Sequence, residues 1–211
     1  SYYLRFIQAL PDVFALANCD DDKLFKLWEG LGYYSRARNL KKAAAEVVET
    51  FGGRFPDTRD ELLTLAGIGD YTAGAIASIA FERPEAAVDG NVLRVLGRVL
   101  ADATPIDDLP YRKRLTKALS AVYPSGRCGD FTQSFMDLGS AVCLPGVPHC
   151  KRCPLSHLCR AYKTDTVESY PVRKQKRPRK IERLTVLALR NEGALAVEKR
   201  GESGLLAGLW Q

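Results

Sequence analysis

Leu62-Leu63-Thr64-Leu65-Ala66-Gly67-Ile68-Gly69-Asp70-Tyr71-Thr72-Ala73-Gly74-Ala75-Ile76 runs as a helix into a tight Gly-x-Gly turn and straight on into a second helix. Glycine has no Cβ, so such a turn can take positive φ and let a ligand reach the backbone, while the new helix presents free amides and the positive end of its dipole. That combination is an anion site built without side-chain charge. Its candidate residues are Gly67, Ile68 and Gly69, with Ile68 anchoring the turn in the core. An ordinary packing turn between two helices is the competing reading of the same residues. A dinucleotide fingerprint is opposed. Asp89 does fall twenty residues after Gly69, but four residues separate Gly69 from Gly74 where two are needed, and a helical pattern precedes the turn where a strand is required.

Outward from this hairpin, apolar residues recur at three and four positions from Ser1 to about Tyr162, broken by Gly, Pro and Asp, which predicts a mainly α fold of short amphipathic helices. The expected helices span 22–30, 37–51, 58–65, 71–80, 92–101, 111–122 and 131–143, and the pattern is already helical from Ser1. Thr58-Arg59-Asp60-Glu61 reads as a capping box, in which a hydroxyl and a carboxylate satisfy the helix's free amides reciprocally. Further on, Val88-Asp89-Gly90-Asn91-Val92 places a carboxylate at the mouth of the next helix. As structure Asp89 is an N-cap; as chemistry, a carboxylate beside a phosphate-binding hairpin can stabilise a sugar cation. Asn91 is ambiguous in the same way.

Four of the six cysteines crowd into Cys143-x6-Cys150-x2-Cys153-x5-Cys159, while Cys19 and Cys128 stand apart. Such clustering reads as a metal site in a reducing compartment and not as a disulfide framework. Four thiolates suit an iron–sulfur cluster; they also suit a structural zinc, for which His149 and His157 are near enough to replace a ligand. The formal charge of +6, from 31 Lys and Arg against 25 acids, favours a polyanionic partner. No apolar run approaches the ~20 residues that cross a bilayer, so a soluble intracellular protein is expected. The expected organisation is a helical domain over 1–162, a linker over 163–182 holding six basic residues within 173–180, and an incomplete β-containing domain over 183–211. Strands over 184–189 and 194–198 flank the turn Asn191-Glu192-Gly193. The uncapped start and the apolar 205–211 end suggest a piece of a longer protein.

Together these residues resemble the helix–hairpin–helix DNA glycosylase superfamily, and within it the MutY-type adenine DNA glycosylases. The resemblance rests on LWEGLGYYSRARNL over 27–40, LAGIGDYTAGAI over 65–76, AVDGNVLRVLGR over 87–98 and the cysteine loop, in the family's order. GLLAGLW over 204–210 resembles the opening of the family's Nudix-like domain. The resemblance implies excision of adenine opposite 8-oxoguanine or guanine in double-stranded DNA, by a monomer carrying a [4Fe–4S] cluster on Cys143, Cys150, Cys153 and Cys159. A cytoplasmic location is implied, beside the nucleoid if the source is bacterial. Asp89 would stabilise the sugar cation, with Asn91 beside it. Tyr71 stands where endonuclease III-like lyases have a nucleophilic Lys. Tyr33 matches the aromatic wedge at the lesion, and Gly67, Ile68, Gly69 and Thr72 match the phosphate-binding hairpin. Three departures stand out. The family's catalytic Glu, which protonates adenine, matches no residue here and is expected upstream. Ala66 replaces a common Pro. Loop 144–149 lacks the basic residues often found there, leaving Lys151 and Arg152 to contact phosphate. An endonuclease III-like lyase and a non-catalytic DNA-binding module are the rival readings.

Overall fold

The computed structural model describes residues 1–175, 181, 183, 185, 188–201 and 208–210. It is mainly helical, with α1 Tyr2–Ala9, α2 Val13–Ala17, α3 Asp21–Trp28, α4 Ser35–Phe51, α5 Arg59–Thr64, α6 Asp70–Phe81, α7 Gly90–Leu100, α8 Leu109–Ser120, α9 Cys128–Asp137 and α10 Arg160–Lys163. Short polar side chains start several of them. Ser1, Asp12, Thr58, Asp89 and Asp108 each accept a hydrogen bond from an amide in the first turn, worth about 1 kcal/mol apiece, so the first helix, expected to lack a cap, is capped by Ser1. The Thr58 box is only half reciprocal: the Glu61 carboxylate takes the Thr58 hydroxyl at 2.6 Å instead of the Thr58 amide.

Four apolar clusters among the described residues hold the helices together. Ala43 and Val47 of α4 meet Leu62 and Leu65 around α5 and Ala73 and Ala77 of α6, with Ile68 packed against them as expected. Leu10, Cys19, Leu24 and Ala37 close the first helices onto α4. Leu93 and Val92 of α7 join Ile106, Tyr111, Leu115 and Leu119 around α8. Gly74 allows α6 to touch the 86–87 segment, because a Cβ there would lie 2.3 Å from the Ala86 carbonyl oxygen.

One buried seam is polar. Between α6 and α9, Tyr123 hydroxyl, Thr132 Oγ1, Ser78 Oγ and the Gly74 carbonyl form a relay at 2.9, 2.8 and 2.7 Å.

The helix expected over 131–143 begins earlier and ends earlier. Its start at Cys128 is set by Glu82, whose carboxylate accepts from the Cys128 and Gly129 amides at 2.6 and 3.3 Å, a cap delivered from 46 residues away. Its end is a π-turn, Leu138–Val142, with the Cys143 amide donating to the Leu138 carbonyl at 2.7 Å.

Downstream, the first part of the expected linker lies along the helical body. The Val172 carbonyl accepts from the Ile106 amide at 2.9 Å, and the Lys174 amide donates to Asp107 at 3.2 Å. The β strands are shorter than expected among the described residues: β1 Arg190–Asn191 pairs antiparallel with β2 Ala194–Leu195. Positive φ at Glu192 (47°) and Gly193 (85°) suits the primed turn that matches strand twist. Residues 184, 186, 187 and 204–207, on which the rest of the β expectation falls, lie outside the described set, as do basic residues 176–180.

Candidate active site and nucleic-acid interface

The hairpin between α5 and α6 closes through the Ile68 amide, which donates to the Leu65 carbonyl at 3.2 Å. Its two glycines differ. Gly67 has φ of 74°, and a Cβ there would meet Asn39 Cβ at 2.6 Å, so both conformation and space require glycine. Gly69 is extended, with φ of −102°, and a Cβ there would meet nothing within 4 Å. The fold therefore makes no demand for glycine at 69, contrary to the expectation that both glycines serve the turn's conformation. Gly69 is the N-cap of α6 and offers no side-chain acceptor, so the first amides of α6, through Thr72, have no intrahelical partner. Asp70 leans away from them to Arg59 at 2.7 Å.

At the mouth of α7, Asp89 uses both carboxylate oxygens. Oδ1 accepts from the Val92 amide at 2.8 Å and Oδ2 from Asn91 Nδ2 at 3.0 Å. The side chain is half-buried, so the cap does not remove it from solvent. Tyr71, at the start of α6, is close enough that the Asp89 charge joins burial in raising its phenol pKa. The phenol is a neutral neighbour of a carboxylate, not an amine nucleophile. Asn91 extends the chain of contacts: its Oδ1 accepts from Arg94 Nη2 at 2.9 Å.

Arg94 and Arg98, one turn apart on α7, are 8% and 4% exposed. Arg94 donates to the carbonyls of Gly139 at 2.6 Å and Cys143 at 2.8 Å. Arg98 donates to the carbonyls of Leu144, Tyr170 and Val167 at 2.8, 3.0 and 3.2 Å, and its Nη1 stands 3.4 Å from Cys143 Sγ. Burial, first of all, pulls the Arg94 pKa below the usual arginine range. The sequence reading missed both arginines. Their signal was the 91-94-98 polar stripe on an otherwise apolar helix, facing a loop whose carbonyls have no sheet or helix to pair with.

Cys143, Cys150, Cys153 and Cys159 line one small cavity of about 20 Å³. Burial and the neighbouring thiols push the Cys150 thiol up, and burial pushes Cys153 up. Among the described residues no three His, Cys, Asp or Glu gather closely enough for a single metal ion. His149 and His157 are exposed and do not line the cavity. The donor set is four sulfurs lining one cavity, a chemistry that suits an iron–sulfur cluster and a structural zinc alike. Lys151 and Arg152 are exposed on the 3₁₀ turn Cys150–Arg152.

Tyr33 is 81% exposed and left-handed, with φ of 49°, a conformation that costs a tyrosine roughly 1–2 kcal/mol. Arg36 holds it there: its guanidinium lies 5.4 Å from the Tyr33 ring centroid and 5.7 Å from that of Trp28. Trp28 Nε1 donates to the Gly32 carbonyl at 3.0 Å, fixing the loop from below. Because Tyr33 lies two residues before α4 and Asn39 of α4 touches Gly67, the exposed ring and the hairpin share one support.

The family described as HhH-GPD superfamily base excision DNA repair protein matches residues 1–121. The chain belongs to this superfamily. It is 37% identical over 255 residues to the adenine DNA glycosylase of Mus musculus, covering all of this chain and 49% of that protein. Identity to the Arabidopsis thaliana adenine DNA glycosylase is 39%, over all of this chain and 38% of that protein. The chain thus spans about half or less of the length of these curated relatives. Among solved structures, a thermostable thymine-DNA glycosylase superposes with a TM-score of 0.70 at 31% identity, covering 77% of this chain and 75% of that one. A non-covalent endonuclease III–DNA complex gives 0.65 at 29% identity, with 78% and 75% coverage. In HhH-GPD terms, the hairpin, Asp89 and Tyr71 lie within the matched residues, and the cysteine loop lies beyond them. No helix among the described residues is long and apolar enough to cross a membrane.

Proposed function

We propose that this HhH-GPD chain carries the catalytic core of an adenine DNA glycosylase, which hydrolyses the N-glycosidic bond of adenine opposite 8-oxoguanine or guanine in duplex DNA. A monomer acting beside the genome, in the cytoplasm of a bacterial source, fits this role. The observation that carries the reading is Asp89: a carboxylate fixed through both oxygens, still half-exposed, beside the start of α6. A paired base is beyond reach inside a duplex, so the adenine nucleotide must be turned out of the stack. The free amides around Gly69 and Thr72 would take a backbone phosphate, and Tyr33 would fill the stack next to the lesion. As the bond from sugar to adenine breaks, positive charge grows on the sugar, and a preorganised carboxylate stabilises it without reorganising. Water then attacks the sugar, and adenine leaves with its proton supplied by a separate acid. With Tyr71 in place of an amine, no Schiff base forms and strand cleavage is not expected. This opposes the lyase reading.

We read Cys143, Cys150, Cys153 and Cys159 as the ligands of one structural [4Fe–4S] cluster. Bound there, it would cross-link the loop to its own end, with Arg98 donating toward Cys143 Sγ. Iron and acid-labile sulfide in near-equal amounts support it; stoichiometric zinc without iron overturns it.

Asp89→Asn in the full-length protein tests the catalytic reading. It retains an acceptor for the Val92 amide but removes the charge. Single-turnover excision of adenine should fall by a factor on the order of 10²–10³ with little change in Tm. A marked stability loss with normal excision per folded molecule would reduce Asp89 to a helix cap.

A further inference from the structure

A second cavity, of about 470 Å³, opens beside the cysteine loop and is lined by Arg94, Arg98 and Arg173 together with Pro145–Val147, Glu168 and 170–171. Arg94 and Arg98 are more than nine-tenths buried, yet neither guanidinium is fully used. Among the described residues, every hydrogen bond of Arg94 runs through Nε or Nη2, and every one of Arg98 through Nε or Nη1. Arg94 Nη1 and Arg98 Nη2 are not among the sealed, unpartnered side-chain atoms, so each keeps access to open space. Arg173 is exposed and has no ion pair or hydrogen bond among the described residues. It is brought to the rim because the chain after the cysteine loop lies against α7, with Pro171 packed on Gly97. Arg173 stands near enough for its charge to act on Arg94. The amides of Gly146 and Val147 also lack acceptors among the described residues. Glu168 is the one carboxylate on this rim, and it pairs with none of the three arginines.

Three guanidinium groups converging on a polar cavity, with spare donors and no carboxylate bound to them, make a seat for an oxyanion. We propose that this cavity binds a backbone phosphate of the DNA strand that passes Asp89, and that Arg173 is its principal side-chain donor. The proposal rests on the glycosylase reading above. The same α7 carries both places: Arg94 lies five residues beyond Asp89, a rise of about 7.5 Å, and is joined to it through Asn91. A strand whose sugar sits at Asp89 has a neighbouring phosphate on that length scale. Because loop 144–149 carries no Lys or Arg, the charge at this edge comes from Arg173 instead.

The test uses the full-length protein and a duplex with adenine opposite 8-oxoguanine, titrated across a salt series. Arg173→Gln should weaken binding several-fold and reduce the slope of log affinity against log salt by about one, while Arg173→Lys retains most of both. Neutral methylphosphonate linkages placed singly within three nucleotides of the adenine should include one position that weakens wild type and leaves Arg173→Gln unaffected. An unchanged slope, or equal losses in both proteins at every position, overturns the proposal. So does a thermal shift by inorganic phosphate that Arg173→Gln abolishes while duplex binding stays normal, since the cavity would then serve a small free anion. If wild type neither binds nor excises adenine from this duplex, the glycosylase reading has failed, which is a different result.

Discussion

The hairpin and the cysteine loop are both irregular backbone at the edge of helices, yet they dispose of their polar groups in opposite ways. The hairpin is held by apolar packing of Leu62, Leu65 and Ile68 and by the fit of Gly67 against Asn39. Its amides at the start of α6 stay free. In the cysteine loop and the chain after it, the carbonyls of Gly139, Cys143, Leu144, Val167 and Tyr170 are taken inward by two buried arginines. A surface that must meet a ligand leaves its donors exposed and draws its stability from side chains behind it. A surface that must keep four sulfurs in place turns its polar groups toward the core.

The strongest way to break that contrast is Arg98→Met. Three partly buried carbonyls would lose their donor, at the lower end of about 1–3 kcal/mol each, so a loss of roughly 2–4 kcal/mol in denaturant-derived stability is expected, together with reduced iron content. A loss under about 1 kcal/mol would mean that the loop supports itself. Next is Gly67→Val, which strains a left-handed residue and collides with Asn39. It should cost about 1–3 kcal/mol and weaken all duplexes alike. The smallest expected effect on the fold is the sharpest test. Gly69→Ala should leave Tm within a degree or two, yet reduce affinity for matched and mismatched duplex equally, several-fold, if a phosphate comes against that backbone. Should Gly69→Ala bind DNA normally, the free amides are idle and the hairpin is a packing turn.

Much of this was legible in the sequence because it is local. The Gly67–Gly69 turn, the Thr58 and Asp89 caps and the periodicity of α3 to α8 each depend on residues within a few positions of one another. What was not legible depends on distant partners. Nothing near Cys128 announces that Glu82 caps its helix, and Thr132 reads as an exposed polar residue until Ser78 and Tyr123 meet it. Arg94 and Arg98 look like the solvent face of α7, whereas the carbonyls of the cysteine loop draw them inside. Among the candidate site residues, Tyr71, Asp89, Asn91 and the hairpin follow from motif order. The unequal demands of Gly67 and Gly69 follow only from the φ values and neighbours.

The π-turn at Leu138–Val142 has a consequence for how this chain can change length. A wide turn holds one residue more than a regular one, and here that residue is taken up with little effect on the angular phase at which α9 delivers Cys143. Removing one residue from 138–142 would restore ordinary helix and leave Cys143 at nearly the same angle, whereas losing one from 129–137 with the wide turn kept would swing it about 100° around the axis, away from both Arg94 and the other three sulfurs. Loop 144–149, by contrast, only has to return from Cys143 to Cys150. Length changes should therefore be absorbed after Cys143 or, one residue at a time, within the wide turn, and rejected between Gly129 and Asp137, so the number of residues in that stretch is as fixed a part of the cysteine pattern as the spacing of the cysteines themselves.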